Sequence, residues 1–331
     1  MKRLSIQTVR RYLASVSPVA VSAVVVAVLA GSNLAQEVSP PPVPPTAQGQ
    51  TATTRLQDRT FESDSLSRPM KYRILLPAGY FETTRNYPVL YLLHGWHGDY
   101  RNWSTLTNLT QLAETAPIII VMPDAGDSWY TDSASVSQDR FERYIVRDLI
   151  AEIDEHWRTL RSSQHRAIAG LSMGGYGAVK FGLKYPEVFH IAASLSGAFN
   201  ATLPELVELR ADLQPSLARA FGSGKNKDRE QNDVYQLAAR ADAHSTPYLY
   251  VECGNEDSTF LDPNRKLVSV LSRRRLAYEY HETPGAHTWE YWGARLPVVL
   301  SAVRRSIAED LASSTTVDLH RPQAVRLVVP R

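Results

Sequence analysis

Residues 166–175 read Arg-Ala-Ile-Ala-Gly-Leu-Ser-Met-Gly-Gly. An apolar run ends at Ala169, Gly170, Ser172 and Gly174 form G-x-S-x-G, and Tyr176 to Tyr185 continues with the spacing of a helix. Strand, tight turn and helix together are the context of a nucleophile elbow. The serine of such a turn sits at positive φ, and side chains two residues to either side would collide with the neighbouring strand and helix, so glycine is needed at both places.

Outward from the elbow, buried strands alternate with amphipathic helices. Upstream, 54–65 and 71–77 read as an early hairpin or edge pair, while 87–93 and 118–122 are continuous apolar runs, as in strands covered on both faces. Residues 103–113 have a helical period, and 141–157 is the clearest helix, with Phe141, Tyr144, Ile145, Leu149, Ile153 and Trp157 on one face and Arg143, Arg147, Glu152 and Glu155 on the other. Downstream come strands at 191–196, 248–253 and 278–282, with helices at 263–275 and 289–307. The pattern implies an α/β fold with a mostly parallel central sheet and helices on both faces. Residues 201–245 break the rhythm: polar, with a Gly222–Lys227 turn between two predicted helices, they read as a small helical insert over the cleft.

At the amino terminus, Lys2, Arg3, Arg10 and Arg11 precede an apolar core from Val19 to Ala30, and Ala30 or Ala35 ends a cleavable stretch. Residues 1–35 therefore read as a secretory signal, removed in a mature protein that is periplasmic or extracellular. The apolar core falls short of the roughly 20 residues that span a bilayer, so no stable membrane insertion is expected after cleavage. Residues 36–50 hold Pro40, Pro41, Pro42, Pro44 and Pro45 and read as an extended spacer. Residues 51–312 form the folded domain, and 313–331 a tail or an added edge strand. The chain carries 36 basic and 34 acidic residues, and four of the basic ones belong to the leader. The remainder is slightly acidic, which gives no reason to expect nucleic acid as a partner. Cys253 is the single cysteine, so the fold has no internal disulfide.

A serine hydroxyl attacks only when a base takes its proton, and the base works best when a carboxylate holds it. In open α/β sheets these partners come from carboxyl ends of strands after the elbow, in the order Ser, Asp, His. His287, in the Pro284–Trp289 loop between a strand and a helix, fits best; His281, within a strand, is the nearest rival, and His190, His244 and His320 are placed less well. Asp257, in the turn after the strand ending at Cys253, is the first choice of acid. Asp262 is the second, with Pro263 behind it suggesting a helix-capping role instead. The oxyanion donors are expected to be the backbone N–H groups of Met173 and of Trp96, the latter in the His94–Gly98 turn. His94 and His97, spaced i, i+3 there, read as structural in place of metal ligands.

Residues 91–95, the Pro123–Tyr130 loop, residues 170–175, Cys253–Asp257 and Pro284–His287 with Trp289 and Trp292 together resemble the esterase family related to esterase D. That family includes S-formylglutathione hydrolases, tributyrin and feruloyl esterases and mycolyltransferases. The resemblance, over about residues 55–307, implies an α/β-hydrolase fold and ester hydrolysis without metal or organic cofactor. It places the nucleophile on Ser172, the acid on Asp257, the base on His287 and the oxyanion donors on Trp96 and Met173. The Ser128–Trp129–Tyr130 segment resembles the one bordering the acyl site of the mycolyltransferases, which makes Trp129 and Tyr130 candidate substrate-binding residues. Trp96, Trp103, Trp289, Tyr291 and Trp292 add aromatic surface near the expected cleft. The substrate class is a short-chain acyl, feruloyl or carbohydrate ester; the alternatives are an acyltransferase using the same triad and a non-catalytic binding protein.

Overall fold

The computed structural model describes residues 54–313 and 326–327, so the leader, the proline spacer and most of the tail lie outside the described residues. A nine-stranded sheet runs in the order β1-β2-β4-β3-β5-β6-β7-β8-β9. Its strands are β1 (Leu56–Ser63), β2 (Arg68–Leu75), β3 (Val89–Leu93), β4 (Ile119–Pro123), β5 (Arg166–Leu171), β6 (Ile191–Leu195), β7 (Tyr248–Gly254), β8 (Tyr278–Thr283) and the two-residue β9 (Arg326–Leu327). The β1–β2 hairpin is antiparallel and meets β4 antiparallel; every pairing from β4 to β9 is parallel.

Every residue of β3, β4, β5 and β6 is buried, which is why these strands are uninterrupted apolar runs without alternation. Alternate side chains feed two cores. Tyr91, Leu93, Val121 and Ile168 pack under the helices Phe141–His156 and Met173–Lys184, whereas Leu90, Leu92, Ile120 and Ala169 pack under the long helix Trp289–Ser313. This is an α/β-hydrolase architecture, with a parallel sheet covered on both sides. Among the described residues no helix is long and apolar enough to cross a membrane.

Three local readings change. The 141–157 helix ends at His156 and is a π-helix over Tyr144–Leu149, which widens the turn between flanking α segments. Its buried face also holds a charge, Glu142. The 103–113 helix is two short ones, Asn102–Leu106 and Leu109–Leu112, separated by an extended Thr107 whose Oγ1 accepts the Leu109 N–H at 3.2 Å. The insert holds four short α-helices, Pro204–Leu209, Gln214–Phe221, Lys227–Gln231 and Val234–Arg240, where the sequence suggests two.

Candidate active site

The elbow follows from what its neighbours leave no room for. Ser172 sits at φ 52°, ψ −117°, between the last residue of β5 and the first of the helix Met173–Lys184. A Cβ on Gly170 would lie 2.5 Å from the Gly174 carbonyl, and one on Gly174 would lie 2.5 Å from the His94 carbonyl oxygen. Real Cβ atoms do not approach backbone so closely, so glycine is the residue that fits at both positions. The strained serine is pinned on both sides: its N–H donates to Leu195 O at 2.9 Å and its carbonyl accepts from Ala198 N–H at 3.1 Å.

Asp257 and His287, the candidate acid and base, arrive on adjacent strands. β7 ends at Gly254 and β8 at Thr283, and the loops that follow are tied to each other: Asn255 N–H donates to Thr283 O, and Glu256 N–H donates to Gly285 O, each at 2.9 Å. Asp257 is 2 % exposed. Its Oδ2 is 2.7 Å from His287 Nδ1, and its Oδ1 accepts the Phe260 N–H at 3.1 Å. His287 Nε2 is 3.0 Å from Ser172 Oγ. A buried carboxylate at Nδ1 keeps that nitrogen protonated and leaves the Nε2 lone pair facing the serine. The ring is held between Phe260 and the perpendicular face of Trp292, both with centroids 4.8 Å away. Cys253 lies under the carboxylate, its Sγ 3.8 Å from Oδ2, with its thiol pKa pushed well up by burial.

The rival residues go elsewhere. Asp262 is exposed in the first turn of the helix Leu261–Arg274 and pairs with Arg265; Phe260, not Asp262, is the residue before that helix. His281 bonds Glu279 at 2.6 Å, and His190 Nε2 bonds Ser306 O at 3.1 Å. His94 is buried with both nitrogens used, Nδ1 donating to Gly95 O at 2.7 Å and Nε2 accepting from Ala125 N–H at 3.1 Å. Burial holds its pKa below the ordinary value, so it is a neutral scaffold residue. His97 stacks on the Trp96 indole.

Ser172 and His287 open on a cleft of about 390 Å³. Trp96, Trp129, Trp289 and Trp292 line it with Leu106, Leu171, Leu213 and Phe260, and Arg210 of the insert stands at its edge. The backbone N–H groups of Trp96 and Met173 make no hydrogen bond to any described residue. Tyr130 is a correction. Its hydroxyl turns inward to donate to His94 O at 2.9 Å and its ring is fully buried against Gly177, so it does not line the cleft that Trp129 lines. Trp103 and Tyr291 are buried away from it as well: Trp103 donates its Nε1–H to Leu93 O, and the Tyr291 hydroxyl contacts Thr283 and the buried Glu252. Leu106, Leu213 and Arg210 went unnoticed in the sequence because each sits on a short helix or turn whose orientation no periodicity reveals.

The family model described as "Putative esterase" matches residues 63–303. An acetyl esterase of Caldicellulosiruptor saccharolyticus is 27% identical over 217 residues, covering 63% of this chain and 80% of the relative. An esterase of Mycobacterium tuberculosis is 31% identical over 259 residues, covering 71% of this chain and 56% of the longer relative. Among solved structures, a ferulic acid esterase superposes with a TM-score of 0.64 at 26% identity, covering 76% of this chain and 98% of that one.

Proposed function

The chain belongs to this family of carboxylic ester hydrolases, and on that footing we propose that it is an exported serine esterase working through an acyl-enzyme on Ser172. The observation that carries the reading is the chain of hydrogen bonds Asp257–His287–Ser172, 2.7 and 3.0 Å, ending at the floor of a cleft. In the mechanism, His287 Nε2 takes the Ser172 proton as Oγ attacks the ester carbonyl carbon. Negative charge gathers on the former carbonyl oxygen, where the Trp96 and Met173 N–H groups donate to it. The intermediate collapses, His287 gives its proton to the departing alcohol oxygen, and a water then repeats the sequence on the acyl-enzyme. Asp257 fixes the tautomer of His287 and stabilises the imidazolium between the two proton transfers.

The substrate is a short-chain acyl, feruloyl or carbohydrate ester, in keeping with a small, open cleft walled by tryptophan and leucine side chains. Export rests on the basic and apolar segments of residues 1–35. The test compares residues 36–331 with the Ser172→Ala variant on p-nitrophenyl acetate, butyrate and octanoate. The variant is expected to lose at least about 10⁴-fold in turnover. Equal rates in the two proteins on all three esters would overturn the reading. Added alcohol diverting most of the acyl group from acid to new ester would replace it with the acyltransferase alternative.

A further inference from the structure

The turn that carries Trp129 has an uncommon shape. Trp129 and Tyr130 both lie at positive φ, 55° and 51°. Such a conformation costs a bulky L-residue about 1 kcal/mol or more, and it persists only where the surroundings over-determine it. Both side chains are buried, Trp129 packing on Tyr176 and Phe221, but only Trp129 also borders the cleft. Thr131 Oγ1 closes the turn by donating to Trp129 O at 2.9 Å, and the Trp129 Nε1–H reaches the insert, donating to Ser216 Oγ at 3.0 Å.

What holds the turn from behind is a lysine. Lys180 is on the helix Met173–Lys184 that begins beside Ser172, and it is completely buried. Its ammonium donates to Tyr130 O at 2.6 Å, to Thr131 Oγ1 at 2.8 Å and to Glu142 Oε2 at 2.8 Å. Three protons meet three acceptors, so its hydrogen-bonding capacity is fully used. Glu142 is buried too, and is bonded in turn by Lys184 at 2.5 Å and by the Tyr185 hydroxyl at 2.6 Å. Burial pulls the Lys180 pKa down to about 8 against the upward pull of Glu142, so the charge survives at neutral pH. An apolar side chain would fill the same space at lower desolvation cost, but it could not grip a carbonyl oxygen.

We propose that Lys180 is a positioning residue for the cleft: it clamps the Tyr130 carbonyl and Thr131 hydroxyl to the helix of the nucleophile. The clamp fixes where the Trp129 indole stands relative to Ser172 and thereby which acyl groups fit between them. The selectivity half of this inference rests on the esterase reading given above; the clamp itself does not.

Two variants and two readouts separate these. Lys180→Met removes the clamp, and Thr131→Val removes one of its three acceptors together with the Thr131–Trp129 bond, while leaving the buried ion pair intact. The first readout is acrylamide quenching of Trp129 emission, taken as the difference between each protein and its Trp129→Phe counterpart, which needs no catalysis. The second is kcat and KM on p-nitrophenyl acetate, butyrate and octanoate. Release of the turn should raise the Trp129 quenching constant at least about twofold and shift the octanoate-to-acetate ratio of KM by about fivefold or more, with kcat moving less than KM. Thr131→Val should move both in the same direction by a smaller amount, and it decides the matter if Lys180→Met does not fold. Folded Thr131→Val protein with wild-type quenching and a wild-type chain-length profile would overturn the proposal. So would an equal fall of kcat on all esters with quenching unchanged. A wild-type protein inert toward every ester would sink the esterase reading instead, and the quenching would still decide the clamp.

Discussion

The floor and the roof of the cleft are built by different means. The floor is the carboxyl edge of the sheet, where backbone bonds set the geometry: Ser172 N–H to Leu195 O, Asn255 N–H to Thr283 O, Glu256 N–H to Gly285 O. The roof is the insert, whose short helices are joined largely through side chains. Arg229 donates to the carbonyls of Gly222 and Thr202, Asn226 caps the helix Lys227–Gln231, and Arg219 pairs with Asp139. The roof also carries a second open groove of about 730 Å³, lined by Leu203, Val207, Ala218 and Arg229. Backbone geometry is over-determined and tolerates little change, whereas side-chain scaffolding relaxes around a substitution. The floor therefore holds atoms to the tolerance that chemistry needs, and the roof governs access.

The largest effect is expected where the floor orients His287, the proposed base. In Asp257→Asn, the amide can present its NH₂ to His287 Nδ1, which forces the tautomer whose Nε2 carries a proton and cannot accept one from Ser172. Turnover should fall by about 10³–10⁴-fold with the melting temperature little altered. A loss under tenfold would mean that the aromatic flanks Phe260 and Trp292, and not the carboxylate, hold the ring. Gly174→Ala attacks the same floor through sterics, since its methyl would meet the Leu93 and His94 carbonyls. A urea titration should show a stability loss of more than about 3 kcal/mol. A near-wild-type midpoint would show that the elbow can slide, and the contrast with the roof would disappear.

This difference also explains what was legible in the sequence. Ser172, Asp257 and His287 sit where strand ends, glycine spacing and chain order leave few choices, and the structure brings those three together. The strands were visible because a two-sided sheet demands unbroken apolar runs. The insert was not, because helices of five to eight residues give barely one or two turns of periodicity. Tyr130 and Trp129 are neighbours in sequence and both are buried, yet only Trp129 borders the cleft, and their paired positive φ values make a turn that no alternation rule anticipates. Lys180 and Glu142 were hidden for a similar reason: a charged residue in a helix reads as solvent-facing until its partner on another helix is known.

The Lys180–Glu142 pair lies behind the turn that carries Trp129, and acid probes it. Burial alone would raise the Glu142 pKa, but the Lys180 and Lys184 ammonium groups outweigh it and bring the carboxyl from an ordinary 4.5 to about 2. A folded-state pKa below the unfolded one adds stability that is fully present above about pH 4.5 and is lost as pH falls toward 2. Between those limits the pair should contribute on the order of 2 kcal/mol of the acid destabilisation. In Glu142→Gln that part of the slope should vanish, measured as melting temperature against pH and compared with wild type over the same window. Parallel slopes would place the acid sensitivity in other carboxylates.

The smallest effect is expected on the roof itself, at Arg210. Its guanidinium grips Asp212 at 2.6 and 2.9 Å and lies 5.8 Å from the centre of the Trp96 ring, at the edge of the cleft. Both partners of the ion pair are open to water, so solvent screens the pair and it adds little, as does the exposed cation–π contact. The Trp96 N–H, the proposed oxyanion donor, belongs to the backbone of the Gly95–Gly98 turn, which Gly98 N–H closes onto Gly95 O at 3.0 Å without help from Arg210. Arg210→Ala should therefore leave kcat on neutral esters within about twofold of wild type and raise KM by no more than about threefold. If KM instead rises more than tenfold, the roof contributes binding energy of its own and is part of the recognition surface. If kcat falls with it, Arg210 acts through Trp96 on the proposed oxyanion donor, and the boundary between floor and roof runs on the far side of that residue.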